Sequence, residues 1–120
     1  MEFKEFAYCS DKYQYTMGKS FMECGKGEKI AIFNLFYRQA PENNNWAVVS
    51  GTDEVIEMVE NLGSMPEEFY EKFLPGDAYA EFRHYLAGMK FTGNVYAMRE
   101  GEIAFPNKPM ITVEAPLIKA

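Results

Sequence analysis

The sequence predicts one α+β domain, with a mixed or antiparallel sheet and about three to four helices. Three observations carry that expectation. Apolar residues recur at helical spacing in several stretches between Asp11 and Gly88, each closed by glycine or proline. Short runs of β-branched and aromatic residues fill the last third, divided by Gly93-Asn94, Glu100-Gly101-Glu102 and Pro106-Asn107-Lys108-Pro109. The length of 120 residues allows one modest core and not two.

Taken in order, residues 1–9 read as a short extended segment. Ser10 or Asp11 is suited to cap a helix that runs to about Glu23. Tyr13, Thr16, Met17, Phe21 and Met22 recur on one side of it, and Gly25 stops it. Lys29 to Arg38 reads as a strand, so nearly unbroken in apolar residues that both faces are expected to be covered. Pro41-Glu42-Asn43-Asn44-Asn45 is a turn, and Trp46 to Ser50 is expected to return beside the first strand.

Gly51-Thr52-Asp53 starts the next helix. Val55, Ile56, Val59 and Leu62 form its apolar stripe, Glu54, Glu57 and Glu60 face water, and Gly63 ends it. Pro66 to Phe73 reads as a short helix with Pro66 at its first helical position. Pro75-Gly76 breaks it. Asp77 then caps a helix in which Tyr79, Phe82 and Leu86 share a face and which Gly88 ends. Phe91 to Met98, Ile103 to Phe105, Met110 to Glu114 and Leu117 to Ile118 are strand signals of a small, sharply bent antiparallel sheet. The run Ala115 to Ala120 reads as an apolar edge strand without a polar tail, as if interrupted before a next element.

Bulk composition removes several classes. Hydrophobic residues make up 48% and charged residues 25%, which argues against disorder. Aromatics reach 16%; most are expected in the core, and the rest are free to line a site for a flat ligand. A net charge of −6 makes nucleic acid a poor partner. Lys19, Lys26, Lys29 and Arg38 are still close enough in sequence to gather in one cleft. Cys9 and Cys24 read as free thiols of a reducing compartment. Glu2 and Lys4 interrupt any leader peptide, and no apolar run approaches the ~20 residues that span a bilayer, so a cytoplasmic protein without a membrane partner is expected. There is no GxxxxGK[ST] loop and no metal-spaced His, Cys and acid cluster. His84 reads as a helix-face residue near Tyr85 and Glu81, not as a catalytic group. Ser50-Gly51 reads as a tight turn in preference to an anion site at a helix start.

Two places offer chemistry. Asp11 can simply cap its helix while Tyr13 packs beneath; the same geometry also lets a phenol ring stack on a planar, electron-poor ring. Arg38 can lie exposed with its stem on Tyr37. Its guanidinium can also bind phosphate oxygens through two parallel hydrogen bonds.

Ser10-Asp11-Lys12-Tyr13-Gln14-Tyr15-Thr16-Met17, Phe33-Asn34-Leu35-Phe36-Tyr37-Arg38 and Gly101-Glu102-Ile103-Ala104-Phe105-Pro106-Asn107 together resemble the start of nicotinate phosphoribosyltransferases. The resemblance covers nearly the whole chain. It implies that residues 1–120 are a hammerhead-like N-terminal domain lacking the α/β catalytic barrel. It also implies that Tyr13 stacks on nicotinate held by a homodimer partner subunit, that Asp11 gives polar support, and that Arg38 reaches toward phosphoribosyl pyrophosphate. Lys12 stands where Leu is usual, Ser10 where Thr is usual, and Gln39 where a second basic residue is usual.

The whole enzyme of this family joins nicotinate to phosphoribosyl pyrophosphate, giving nicotinate mononucleotide and pyrophosphate, with ATP hydrolysis and Mg2+. The family's phosphohistidine lies in the barrel. By resemblance, then, this domain holds no catalytic residue, metal or cofactor, does not turn over alone, and exposes an apolar docking surface through which it self-associates. Two alternatives share the fold: a stand-alone ligand-binding or protein-interaction module, and the front domain of a quinolinate phosphoribosyltransferase. The Asp-x-Tyr-Gln opening favours the nicotinate branch.

Overall fold

A computed structural model of the chain describes residues 10–39, 44–63 and 65–120. The expectations for residues 1–9, Cys9 included, and for most of the 41–45 turn lie outside the described residues. Among the described residues four helices and five strands follow one another: α1 (Lys12–Glu23), β1 (Ile30–Leu35), β2 (Ala47–Val48), α2 (Thr52–Glu60), α3 (Glu67–Glu71), a 3-10 turn (Asp77–Tyr79), α4 (Ala80–Gly88), β3 (Asn94–Ala97), β4 (Ile103–Ala104) and β5 (Ile111–Pro116). The fold is α+β, as predicted, and every described strand pair is antiparallel.

Asp11, in extended backbone (φ −73°, ψ 140°), is the cap of α1. Its amide donates to Gln14 Oε1 at 3.2 Å, so the Asp-x-x-Gln spacing helps close the helix start. The expected stripe needs correction. Tyr15 and Met22, with Gly18 between them, form the inner face of α1. A methyl group at Gly18 would lie 3.0 Å from Phe82 Cζ, so the absent side chain allows the helix to approach. Tyr13 and Met17 are 59% and 47% exposed.

The core lies between α3, α4 and α1. Met65, Phe69, Tyr70, Leu74, Phe82 and Leu86 are buried together. Tyr15 stands edge-on to Tyr70 with ring centres 6.3 Å apart and stacks on Phe73 at 6.1 Å. Buried Arg83 clasps the corner. Its Nη1 donates to the carbonyls of Leu74 (2.5 Å) and Gly76 (2.8 Å), which the Pro75 break leaves without helical partners. Burial raises the pKa of the Tyr70 phenol, with Tyr15 adding to the effect. Pro66 sits one residue earlier than expected, as an extended cap (ψ 157°) of α3. Asp77 opens a 3-10 turn with no side-chain capping bond, and α4 begins only at Ala80.

β5 is the central strand of a three-stranded sheet in the order β1-β5-β3, with Phe33 opposite Val113 and Val95 opposite Val113 on the other side. Three expectations fail here. β2 does not return beside β1; it pairs with β4, Ala47 opposite Ala104. Leu117 and Ile118 form a turn, not a strand. Their amides bond back to the Lys29 and Gly27 carbonyls, and Lys119 N–H closes the turn on Pro116. The apolar tail is therefore folded down instead of forming an edge. Finally, β1 is covered on neither face: Ile30 and Ile32 are 65% and 64% exposed, and Phe33 and Leu35 on the other side are 49% and 53% exposed.

Two turns flank β4. Gly101 (φ 84°) follows Glu100 in a turn closed by Glu102 N–H on Arg99 O at 3.1 Å. Pro106-Asn107, with Asn107 at φ 60°, forms a similar turn, tied to the segment after β1 through Asn107 N–H on Tyr37 O at 2.8 Å.

Candidate functional site

A groove of about 650 Å³ runs between α1, α2 and the inner face of the sheet. Tyr13, Met17 and Phe21 line it from α1, Phe33 and Val113 from the sheet, and Val55, Met58 and Val59 from α2. Most of its surface is apolar carbon. Ser10, Gln14 and Lys119 supply polar groups at its lining. A flat aromatic ligand needs such a surface, with few polar atoms to fix its orientation.

Helix periodicity explains Tyr13. Positions 15, 18 and 22 turn toward the core, where Tyr15 and Gly18 also reach the groove floor beside Phe82 and Leu86, and positions 13 and 17 line the groove from the exposed side of the helix. The Tyr13 hydroxyl and ring are thus in reach of a body outside the chain. Asp11 is exposed at the cap, beside the groove but not among its lining residues. Arg38 is exposed three residues beyond the end of β1, and it does not line the groove either. The chain brings Tyr13 together with Phe33; it does not bring Arg38 to them.

The basic cleft does not form. Lys29 precedes β1 and Arg38 follows it, and a six-residue strand alone spans about 17 Å. Lys19 pairs with Glu23 and lies 5.5 Å from the Tyr79 ring centre. His84 is a helix-face residue as expected, but its acidic neighbour is Glu67 and it is not packed down. Its side chain is 86% exposed, with Nδ1 3.5 Å from Glu67 Oε2, because it stands two residues from both Phe82 and Leu86 on the opposite side of α4.

The Ser50-Gly51 corner does hold an anion, and the chain supplies it. Glu100 Oε1 accepts from the amides of Gly51 (2.7 Å), Thr52 (2.7 Å) and Asp53 (3.3 Å), and from the Thr52 hydroxyl (3.2 Å). The Asp53 amide foremost, with the Thr52 hydroxyl and the other amides, holds this carboxyl below the usual carboxylate range against a partly opposing desolvation. Sequence reading missed the partnership because the two segments lie 48 residues apart. It also missed Phe33, Met58 and Val113 as lining residues, since a groove between elements leaves no local pattern. Arg83 was missed for the same reason. Among the described residues, no three of His, Cys, Asp and Glu group as a metal ion would need. No helix among them is long and apolar enough to cross a membrane.

The family model described as nicotinate phosphoribosyltransferase (NAPRTase) N-terminal domain matches residues 9–120. The nicotinate phosphoribosyltransferase of Bacillus subtilis is 39% identical over 113 residues, covering 92% of this chain and 23% of the relative. That of Dictyostelium discoideum is 35% identical over 112 residues, covering 91% of this chain and 19% of the relative. The crystal structure of human nicotinic acid phosphoribosyltransferase superposes with a TM-score of 0.74 at 28% identity, over 91% of this chain and 22% of that one. A nicotinate-nucleotide pyrophosphorylase from Pyrococcus furiosus shares the fold, with a TM-score of 0.64 at 22% identity, over 98% of this chain and 22% of that one. The chain thus spans about a fifth of the length of the relatives it matches.

Proposed function

The chain belongs to the nicotinate phosphoribosyltransferase N-terminal domain family, and from that premise we propose that residues 1–120 form the front domain of such an enzyme, working in the cytoplasm and giving a stacking wall to the nicotinate site. The observation that carries this reading is Tyr13. It is an aromatic residue placed by a capped helix at the lining of an apolar groove, and it remains 59% exposed.

In the proposed reaction the nicotinate ring nitrogen displaces pyrophosphate at C1 of the ribose. Positive charge develops on the sugar, so the enzyme must align two reactants and neutralise the leaving group. Tyr13 contributes to alignment: a ring stacked on the pyridine restricts its tilt. Asp11 supports the same helix end. Arg38 is assigned a phosphate contact outside the groove, from the segment that follows β1. The groups that neutralise pyrophosphate belong to another body, with which this domain meets its homodimer partner. The described residues offer no donor cluster suited to Mg2+ and no phosphate loop for ATP, so no step is assigned to either here.

The test is product formation. A full-length protein carrying this domain, given nicotinate and phosphoribosyl pyrophosphate, should release nicotinate mononucleotide. Residues 1–120 alone should release none. Mononucleotide made by residues 1–120 would overturn the division of labour, and a full-length protein that makes none from these substrates would overturn the activity.

A further inference from the structure

We propose that Glu100 is a latch whose carboxylate ties the β3–β4 turn to the first turn of α2 and so sets the wall that α2 gives to the groove. The need for a latch follows from α2 itself. Its only fully buried residue is Thr52. Its apolar residues Val55, Met58 and Val59 are half-buried and turn to the groove, so little core packing fixes the helix in place. Its cap position is Gly51, at φ 92°, which has no side chain to accept the first helical amides.

The missing acceptor comes from the turn after β3. One oxygen of Glu100 takes the amides of Gly51, Thr52 and Asp53 and the hydroxyl of Thr52. The turn is itself fastened. Arg99 N–H donates to Glu102 Oε2 at 2.9 Å, and two backbone bonds, Val49 N–H to Glu102 O and Gly101 N–H to Val49 O, each 2.9 Å, join it to the chain just before α2. The backbone bonds hold the turn to the end of β2, and the carboxylate alone reaches across to the helix. A negative charge is favoured there by the helix dipole as well as by the amides.

Protonation therefore opens the latch. The folded-state pKa of Glu100 is lowered, so the contact is complete above the ordinary carboxylate range and is lost as pH falls through the lowered value. The other charged groups on the two elements are Asp53, Glu54, Glu57 and Glu60 on α2 and Arg99 and Glu102 in the turn. Glu102 is committed to the Arg99 amide and is no substitute.

The inference uses the geometry of the groove and not the identity of its ligand. It is tested by amide hydrogen exchange on the full chain, comparing wild type, Glu100→Gln and Glu100→Ala. Residues 51–60 should exchange roughly tenfold faster in Glu100→Ala, as expected for a lost helix cap, and to an intermediate degree in Glu100→Gln. The core around Leu74 and Phe82 should not change. Protection at residues 51–53 should fall in wild type as acid titrates Glu100, and Glu100→Gln should show no such step. Unchanged exchange of residues 51–60 in Glu100→Ala would overturn the latch. So would a wild-type pH step in Glu100→Gln, which decides the matter if Glu100→Ala does not fold. No arm contains nicotinate, so the latch and the proposed function fail separately.

Discussion

Around Phe69, Leu74 and Phe82 the chain closes on its own side chains; along β1 it does not. Both regions are strongly apolar in sequence. Leu74 and Phe82 are 0% and 2% exposed, whereas Ile30, Ile32 and Tyr96 remain 58–65% exposed on one face of the sheet. Register puts those three on the same side, since Ile32 and Asn94 both stand opposite Glu114 and Tyr96 opposite Thr112. The difference separates two uses of apolar residues. One set holds this domain together. The other is placed where a larger body can cover it, and the groove with Tyr13 belongs with the second set in character.

The comparison can be broken by mutation. Phe82→Ala should have the largest effect, a loss of about 3–5 kcal/mol in urea denaturation, because it empties the centre of the core. Arg83→Met should follow, at about 1–3 kcal/mol, since it strands the carbonyls of Leu74 and Gly76 without a donor. Ile32→Ala should change the stability of residues 1–120 by less than about 0.5 kcal/mol. If Ile32→Ala instead costs as much as Phe82→Ala, the division between self-holding and docking surfaces is wrong. The same Ile32→Ala change sharpens the comparison in solution: light scattering across a wide concentration range should show self-association of residues 1–120 through the open face, weakened by the mutation. A clean monomer at all concentrations would remove that face as a docking surface.

How much of this was legible in the sequence depends on the range of the interaction. The starts and stops of α1 and α2 were legible, because Asp11, Gln14, Gly25, Gly51 and Gly63 act within a few residues of themselves. The Glu100-Gly101 and Pro106-Asn107 corners were legible for the same reason. Strand partners were not. β2 pairs with β4 and not with its neighbour β1, and the Tyr37 hydroxyl donates to Ala104 O on β4 at 2.9 Å; both contacts join segments more than 50 residues apart, so neither is a local property. Leu117-Ile118 carries strand formers, yet the ladder with β1 ends at Ile30 opposite Pro116, and their amides close a turn onto the Lys29 and Gly27 carbonyls. The site divides likewise. Tyr13 could be picked out by its place at a helix start, but that it faces a groove shared with Phe33, Val113 and Met58 follows only from the packing.

The central claim is that Tyr13 presents its ring to an aromatic acid. The direct test is a nicotinate titration of the full-length protein as wild type, Tyr13→Phe and Tyr13→Ala, with thermal unfolding recorded for each. Affinity should fall roughly tenfold in Tyr13→Ala and hold within about twofold in Tyr13→Phe, at unchanged stability. Equal affinity in Tyr13→Ala and wild type would take this ring out of the site.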